Sequence, residues 1–533
     1  MIKIALAQIN PTVGDLKGNA QKIAESIKKA KKNGSNFIVF PELALTGYPP
    51  EDLLLKNYFI KENIKILNKI KKETAGITVI VGFVDKSKLK TYNSCAIIQD
   101  KKIIDTYHKI YLPNHGIFDE KRYFSPGKTL PVYEYNNKKF TVTICEDLWI
   151  KRHQFSLKDK NLDFIINISA SPFSIKKIKQ RKKVISSIAK AARSFIFYCN
   201  LVGGQDEIVF DGRSLIYSPK GKLLKQAKKF STDIIYFNFK KPGQKPIQIQ
   251  SNKIENIYSA LSLGIKDYMR KNKFQKAILG LSGGLDSAVT LAIVAKSIGS
   301  NKVNALIMPS FYSSKESLTD AIKICENLKI NYYTVTINNI FDCFNRDLKP
   351  YFKNLPTDST EENLQARIRG NILMAFSNKF GHLVITTGNK SEISCGYCTL
   401  YGDMAGGFGI LKDVYKTSVY QLARFINKKN KKSIIPKSII NKAPSAELKP
   451  NQKDIDNLPK YSLLDKILHL YVENDIDFQG IVKLGFDRKV VKKIIEMVDS
   501  SEYKRRQSPI GIKISEKAFG KDRRMPITNN FTN

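Results

Sequence analysis

A chain of 533 residues exceeds one ordinary domain, and its 42% apolar content is enough to build folded cores, which excludes wholesale disorder. Its 89 lysines and arginines against 48 aspartates and glutamates give a formal net charge of +41, but they are spread in short runs such as Lys28-Lys29 and Lys176-Lys177 without an aromatic-interleaved RNA-binding motif, so biased composition and anionic small substrates explain them better than nucleic acid does. Seven cysteines at irregular spacing make no disulfide framework and fit a reducing cytoplasm, MIKIALAQIN is a strand and not a signal peptide, and no segment nears the roughly 18 apolar residues of a membrane span.

The first predicted strand, IKIALAQ (2–8), precedes an amphipathic helix over 17–33. NFIVF (36–40) follows, then a long helix over 50–73 and the strand ITVIVGFV (77–84). FTVTI (140–144), DFIINIS (163–169) and FIFYCNLV (195–202) continue the series, with a helix over 176–193 before the last. Short β-branched runs, many apolar throughout, belong to sheets covered on at least one face. GRSLIYS (212–218) and DIIYFNF (233–239) follow polar turns and read as hairpin strands. KKPGQKPIQIQSN (240–252), with two prolines and a glycine, reads as a linker. Beyond it come a helix over 254–271, the strand AILGL (277–281), a Gly-rich turn and a helix over 286–298. NALIMP (304–309), a helix, YYTVTI (332–337), a long helix near 360–380 and LVITT (383–387) complete an alternation that predicts a doubly wound parallel sheet. The division is therefore one α/β domain over 1–245 and a second over 246–533.

The sharpest signal is Gly280-Leu281-Ser282-Gly283-Gly284-Leu285-Asp286-Ser287, set between a strand and a helix. Such a turn aims backbone N–H groups and the helix dipole at an anion, Ser282 and Ser287 add hydroxyls, and Asp286 suits a magnesium ion. No Gly-Lys-Ser/Thr follows, so this is not a Walker A loop. It resembles the loop of the ATP pyrophosphatases (PP-loop enzymes), which cleave ATP between its α and β phosphates and adenylate a carbonyl oxygen. That loop alone leaves asparagine, GMP and argininosuccinate synthesis and tRNA thiolation open. Gln365-Ala366-Arg367-Ile368-Arg369-Gly370, LVITTGNKSE (383–392), GYCTLYGDMAGGF (396–408), KAPSAELKPNQ (442–452) and SEYKRRQSP (501–509) resemble the NAD⁺ synthetase family across 255–533. The resemblance implies ATP and deamido-NAD⁺ as substrates, with Mg²⁺ at Asp286 and Glu392. Thr387 would contact ATP, and Asn363, Glu392 and Lys504 the dinucleotide. By themselves Asn363 could decorate a helix and Lys504 could be a surface cation. Cys395-x-x-Cys398 lacks a second ligand pair, so no zinc is expected there.

In the first half Glu42 follows NFIVFP, Lys109 follows IIDTYH and Cys145 follows FTVTI, and strand C-termini are where sheet-based sites collect. An amide is a poor electrophile; a thiolate can attack it if a base takes the thiol proton and a cation steadies the oxyanion. PELALTGYPPEDLL (41–54), HKIYLPNHGIFDEKRYF (108–124) and ICEDLW (144–149) resemble the nitrilase (carbon–nitrogen hydrolase) superfamily over roughly 1–240. The resemblance implies an α-β-β-α sandwich with Glu42, Lys109 and Cys145 catalytic and Glu120 a second carboxylate in the pocket. It also implies glutamine held near His115, where the family usually has tyrosine, and by Ser171 and Lys177. Joined, the halves are expected to free ammonia from glutamine and spend it, through an enclosed tunnel, on an adenylated carboxylate. The partners expected are small molecules and further copies of the chain, without nucleic acid or membrane. A different PP-loop amidotransferase is opposed by KAPSAELKP and SEYKRRQ; an RNA-binding protein would rest on charge alone.

Overall fold

The computed structural model describes residues 2–240, 247, 252–353, 355–450, 452–529 and 531. The chain falls into two compact units, Met1–Ser251 and Asn252–Asn533. The linker expected over 240–252 lies mostly outside the described residues.

In the first unit the two-residue period of the strands decides the layers. One six-stranded sheet runs Asp233–Asn238, Lys3–Gln8, Phe37–Val39, Thr78–Ser87, Lys90–Gln99, Lys102–His108. The other runs Leu223–Gln226, Leu215–Tyr217, Phe195–Asn200, Phe164–Ser169, Lys138–Ile144, Tyr133–Tyr135. Ile4, Leu6, Phe37, Val39 and Ile80 of the first sheet pack on Val142, Ile144, Phe164, Ile166 and Phe197 of the second. Their neighbours along each strand point outward. Ala5, Ala7, Ile38, Val79 and Val81 meet helices Leu16–Lys32 and Asn57–Ile70, while Ile165, Ile196 and Leu215 meet helix Lys177–Ala192. Central strands are thus covered on both faces, and their sequences read as continuous apolar runs in an α-β-β-α stack.

Helix Leu16–Lys32 starts where Asp15 accepts from Gly18 N at 2.9 Å, buries Ile23, Ile27 and Ala30, and ends on lysines that suit its dipole. The single helix expected over 50–73 is instead three pieces: a 3₁₀ turn Glu51–Leu55, helix Asn57–Ile70 and a second 3₁₀ turn Lys71–Thr74. Glu51 enters the first piece at φ +45°, outside helical geometry, and Lys56, extended at φ −90° and ψ 103°, separates the first two pieces. Strands Lys90–Gln99 and Lys102–His108 were not expected at all.

In the second unit a five-stranded sheet runs Asn331–Thr334, Val303–Ile307, Ala277–Gly280, Leu383–Thr386, Phe408–Gly409, every pairing parallel. The chain order reverses at Ala277–Gly280, so the crevice beyond that strand is the switch point where doubly wound folds bind ligands. Helix Leu285–Ile298 springs from it and is buried on nearly every face, which is why its sequence is apolar all round. YYTVTI is strand only to Thr334; helix Asn338–Phe352 follows.

Phe164 is wholly buried between the two sheets of the first unit, stacked on Phe140 at 4.9 Å and edge-on to Phe197 at 5.8 Å. Phe164→Ala should destabilise that unit by about 3–5 kcal/mol. Urea unfolding followed through the sole tryptophan, Trp149, which lies in the same unit, measures this directly.

Candidate active sites

Glu42 lies in the turn after strand Phe37–Val39. A Cβ on Gly82 would come within 2.4 Å of Leu43 N and 2.5 Å of Pro41 O, so only glycine lets this turn lie against strand Thr78–Ser87. Lys109 follows strand Lys102–His108, and Cys145 follows Lys138–Ile144. Cys145 has φ +42° and opens a 3₁₀ turn, Cys145–Leu148, a sparsely populated conformation that the surroundings must enforce. Asp147 enforces it. Its Oδ2 accepts from Ile144 N at 2.9 Å and Tyr107 Oη at 2.7 Å, and its Oδ1 accepts from Ile110 N at 3.2 Å and Tyr111 N at 3.0 Å. One carboxylate thereby fastens the cysteine turn to the segment that carries Lys109.

Lys109, only 1% exposed, donates from Nζ to Glu42 Oε1 at 2.7 Å and to Glu120 Oε1 at 2.8 Å. Asn93 Nδ2 also donates to Glu42 Oε1 at 2.7 Å, Ala170 N to Glu42 Oε2 at 2.8 Å, and Tyr48 Oη to Glu120 Oε1 at 2.8 Å. Burial works against the Lys109 charge, but Glu120 and then Glu42 outweigh it and hold the ammonium above its usual range. Burial first, and the neighbouring Glu42 charge second, push the Cys145 thiol up, so it rests protonated and needs a base to react. Burial raises Glu120 to about 7 against the pull of Lys109.

The three residues expected to contact glutamine lie in different settings. Ser171 is buried beside Ala170, donates from its N–H to Asn200 Oδ1 at 2.9 Å, and its Oγ accepts from Arg181 Nη2 at 3.2 Å. Arg181 is itself buried and paired with Asp211 at 3.0 Å. The Lys177 ammonium lies 4.0 Å from the ring centroid of Trp149, the residue that closes the Cys145 turn. His115 is exposed, its ring edge-on to Phe118 at 5.6 Å, and Phe118 in turn meets Tyr48 at 6.4 Å.

In the second unit the Gly-rich loop leaves strand Ala277–Gly280 and enters helix Leu285–Ile298. Gly283 has φ +78°, and a Cβ there would sit 2.2 Å from Ser317 O. Ser282 Oγ and Ser287 Oγ are 3.2 Å apart, Gly284 N donates to Ser282 Oγ at 3.2 Å, and Ser287 Oγ donates to Gly284 O at 3.0 Å. Asp286 accepts from Asn389 Nδ2 at 3.0 Å and pairs closely with Lys416 Nζ, which also reaches Glu392 Oε1 at 3.1 Å. Asn389 caps helix Lys390–Ser394 by accepting from Glu392 N at 3.1 Å. Asp286 and Glu392 therefore converge on one cation centre. Two carboxylates are hard oxygen donors of the type a divalent cation prefers, and no group of three or more metal-ligating side chains occurs among the described residues.

Thr387 is half-buried at the end of strand Leu383–Thr386. Asn363 Oδ1 accepts from Thr399 Oγ1 at 2.7 Å, and Lys504 Nζ donates to Gly396 O at 2.8 Å and Cys398 O at 2.9 Å, so these two flank the 396–399 loop. Beside it lies a small cleft lined by Gly388, Glu392, Cys398, Asp403 and Lys412. Cys395 packs into a helical core with Leu468 and Val498. The sequence alone did not single out Asn93, Asp147, Asn389 or Lys416, although Asp147 lies inside ICEDLW and Asn389 inside LVITTGNKSE.

Lys416→Met would strip the cation from between Asp286 and Glu392. Burial already raises Glu392 to about 7 with Lys416 pulling it down, so its removal sends Glu392 higher still. A carboxyl whose folded pKa exceeds its unfolded value loses stability as pH rises through that interval. The variant should therefore lose about 3–5 kcal/mol at pH 8 and distinctly less at pH 5.5, compared with the parent by denaturation at both pH values.

Residues 3–242 match the carbon–nitrogen hydrolase family and residues 257–508 the NAD synthase family. The chain is 44% identical over 570 residues to a glutamine-dependent NAD(+) synthetase of Thermotoga maritima, covering 99% of both, and 44% identical over 534 residues to that of Acinetobacter baylyi, covering 99% of this chain and 98% of the relative. A solved glutamine-dependent NAD+ synthetase from Acinetobacter baumannii, in complex with ADP, superposes with a TM-score of 0.80 at 41% identity over 100% of this chain and 99% of that one. With both halves matched in order and the likeness running end to end, the chain belongs to the glutamine-dependent NAD⁺ synthetase family.

Proposed function

We propose that the chain converts deamido-NAD⁺ to NAD⁺ with ammonia drawn from glutamine, residues 1–245 acting as the amidase and 246–533 as the ATP-consuming synthetase. The observation that carries the reading is the buried Lys109 ammonium, fixed at 2.7 Å from Glu42 and 2.8 Å from Glu120, in a cluster whose charges bear on the Cys145 thiol. The compact units Met1–Ser251 and Asn252–Asn533 support the division of labour.

Glu42 takes the Cys145 proton as Sγ adds to the amide carbon, and Lys109 steadies the oxyanion. Glu42 returns the proton to the departing nitrogen, ammonia leaves and a thioester remains. Water gives a proton to Glu42 and adds to the thioester; glutamate leaves and the thiol is restored. Ser171, Lys177 and His115 hold glutamine. In the other unit, the loop 280–287 and Thr387 receive ATP. The nicotinate carboxylate adds to the α-phosphorus and pyrophosphate departs; ammonia then adds to the acyl carbon and AMP departs. Asn363, Glu392 and Lys504 hold the dinucleotide. Mg²⁺ held by Asp286 and Glu392 would offset phosphate charge.

No described helix is long and apolar enough to cross a membrane, and all seven cysteines are free, which supports a reducing, cytoplasmic setting. Self-association belongs to the same reading. Tyr333, Phe376 and Phe380 form adjoining rings, 5.4 and 5.7 Å apart, at the outer edge of the parallel sheet, with Tyr333 and Phe380 exposed. A second copy would cover this apolar face. Light scattering should give a multiple of the 60.4 kDa chain mass; a monomer would refute it.

Cys145→Ala should lower glutamine-dependent NAD⁺ synthesis by orders of magnitude, because neither Glu42 nor Lys109 can replace a thiolate. With ammonium at high concentration, NAD⁺ synthesis should stay within several-fold of the parent. Equal loss with both nitrogen sources would make Cys145 structural, and retained glutamine use would place the nucleophile elsewhere.

A further inference from the structure

We infer that Trp149 is a positioning residue for the amidase, holding the Lys177 ammonium where it receives the α-carboxylate of glutamine. The inference rests on the reading above that Lys177 anchors glutamine. The Lys177 Nζ lies 4.0 Å from the Trp149 ring centroid, the closest of the described cation–ring contacts. Trp149 caps the 3₁₀ turn that Cys145 opens, so the ring moves with the nucleophile. Lys177 opens helix Lys177–Ala192, whose first turn contains no acidic residue. A cation at a helix N-terminus opposes the macrodipole, so helix stability does not account for Lys177; an indole face offsets that and draws the ammonium toward the cysteine turn.

Lys109 meets Glu42 and Glu120, and Arg181, fully buried, meets Asp211 and Ser171. The α-carboxylate of glutamine lies at the far end of its side chain from the reacting amide, so its partner belongs at a distance from Sγ; Lys177 is half-buried and held against Trp149. A lysine side chain is otherwise free to adopt many rotamers, and restricting it before substrate arrives lessens the entropy lost on binding. Because the carboxylate is remote from the bond that breaks, this contact serves ground state and transition state alike and should appear in KM, not in kcat.

The test compares full-length Trp149→Leu, Trp149→Phe and Lys177→Met, checked for folding by circular dichroism, on L-glutamine and on γ-aminobutyramide, which has the same γ-amide but no carboxylate. Trp149→Leu should raise KM for L-glutamine about tenfold with kcat within about twofold, while kcat/KM for γ-aminobutyramide changes less than about twofold. Trp149→Phe, which keeps a ring, should fall between parent and Trp149→Leu. Since Trp149 is the only tryptophan, emission of Cys145→Ala should change saturably with L-glutamine and not with γ-aminobutyramide. Equal loss of kcat on both substrates in Trp149→Leu would overturn the inference and make the ring a mere prop for the cysteine turn. If Lys177→Met raises KM for L-glutamine and Trp149→Leu does not, the ring has no positioning role and the Lys177 reading survives. If Lys177→Met leaves KM unchanged, the anchor reading falls and takes the inference with it.

Discussion

An ammonium shut away from water keeps its charge only where carboxylates meet it, and Lys109 meets two of them. Its partners come from separate parts of the first unit: Glu42 from the turn after strand Phe37–Val39, and Glu120 from a 3₁₀ turn eleven residues further along the chain from Lys109. Asn93, from strand Lys90–Gln99, and the backbone of Ala170, just past strand Phe164–Ser169 of the other sheet, complete the coordination of Glu42. Misplacing any of these strands would leave a buried charge without a partner, so the pairing of the two sheets and the assembly of the reactive cluster are the same constraint. The thiol inherits its chemistry from it, because burial and Glu42 keep the thiol protonated until a proton is taken away.

The second unit uses the same solution with other residues. Lys416, 3% exposed, lies between Asp286 of the Gly-rich loop and Glu392 of a short capped helix. Burial works against its charge, but Asp286 and then Glu392 hold the ammonium above its usual range. Here the arrangement is built at the switch point of a parallel sheet, where backbone donors and a helix N-terminus already favour anions. A lysine between two carboxylates offsets the repulsion between their charges in that pocket.

The residues legible in the sequence were those that end apolar strands. Glu42, Cys145 and the loop 280–287 each follow such a run, and both the strand and its punctuation show in the letters; Lys109, after the largely exposed KIIDTYH, shows through the string HKIYLPNHGIFDEKRYF that surrounds it. Asn93 did not, because strand Lys90–Gln99 begins KTYNS: polar residues that face a buried carboxylate leave no hydrophobic alternation to detect. Asp147 stands inside ICEDLW, yet its four hydrogen bonds tie together segments far apart in the chain, which no local pattern encodes. Lys416 was hidden by abundance, since among 89 cations nothing local marks the few that are buried. The helix expected after Tyr48 is entered at Glu51 with φ +45° and broken at extended Lys56, neither of which shows in the letters, while its apolar spacing pulls toward one long helix.

The central claim is that one chain takes nitrogen from the glutamine amide and puts it into NAD⁺ at the expense of ATP. Purified protein given ATP, Mg²⁺, deamido-NAD⁺ and amide-¹⁵N glutamine, without added ammonium, tests it most directly. The account predicts ¹⁵N in the carboxamide of NAD⁺, with AMP and pyrophosphate formed in equal amounts to NAD⁺. Glutamate release without NAD⁺, or NAD⁺ accompanied by ADP in place of AMP, would contradict it.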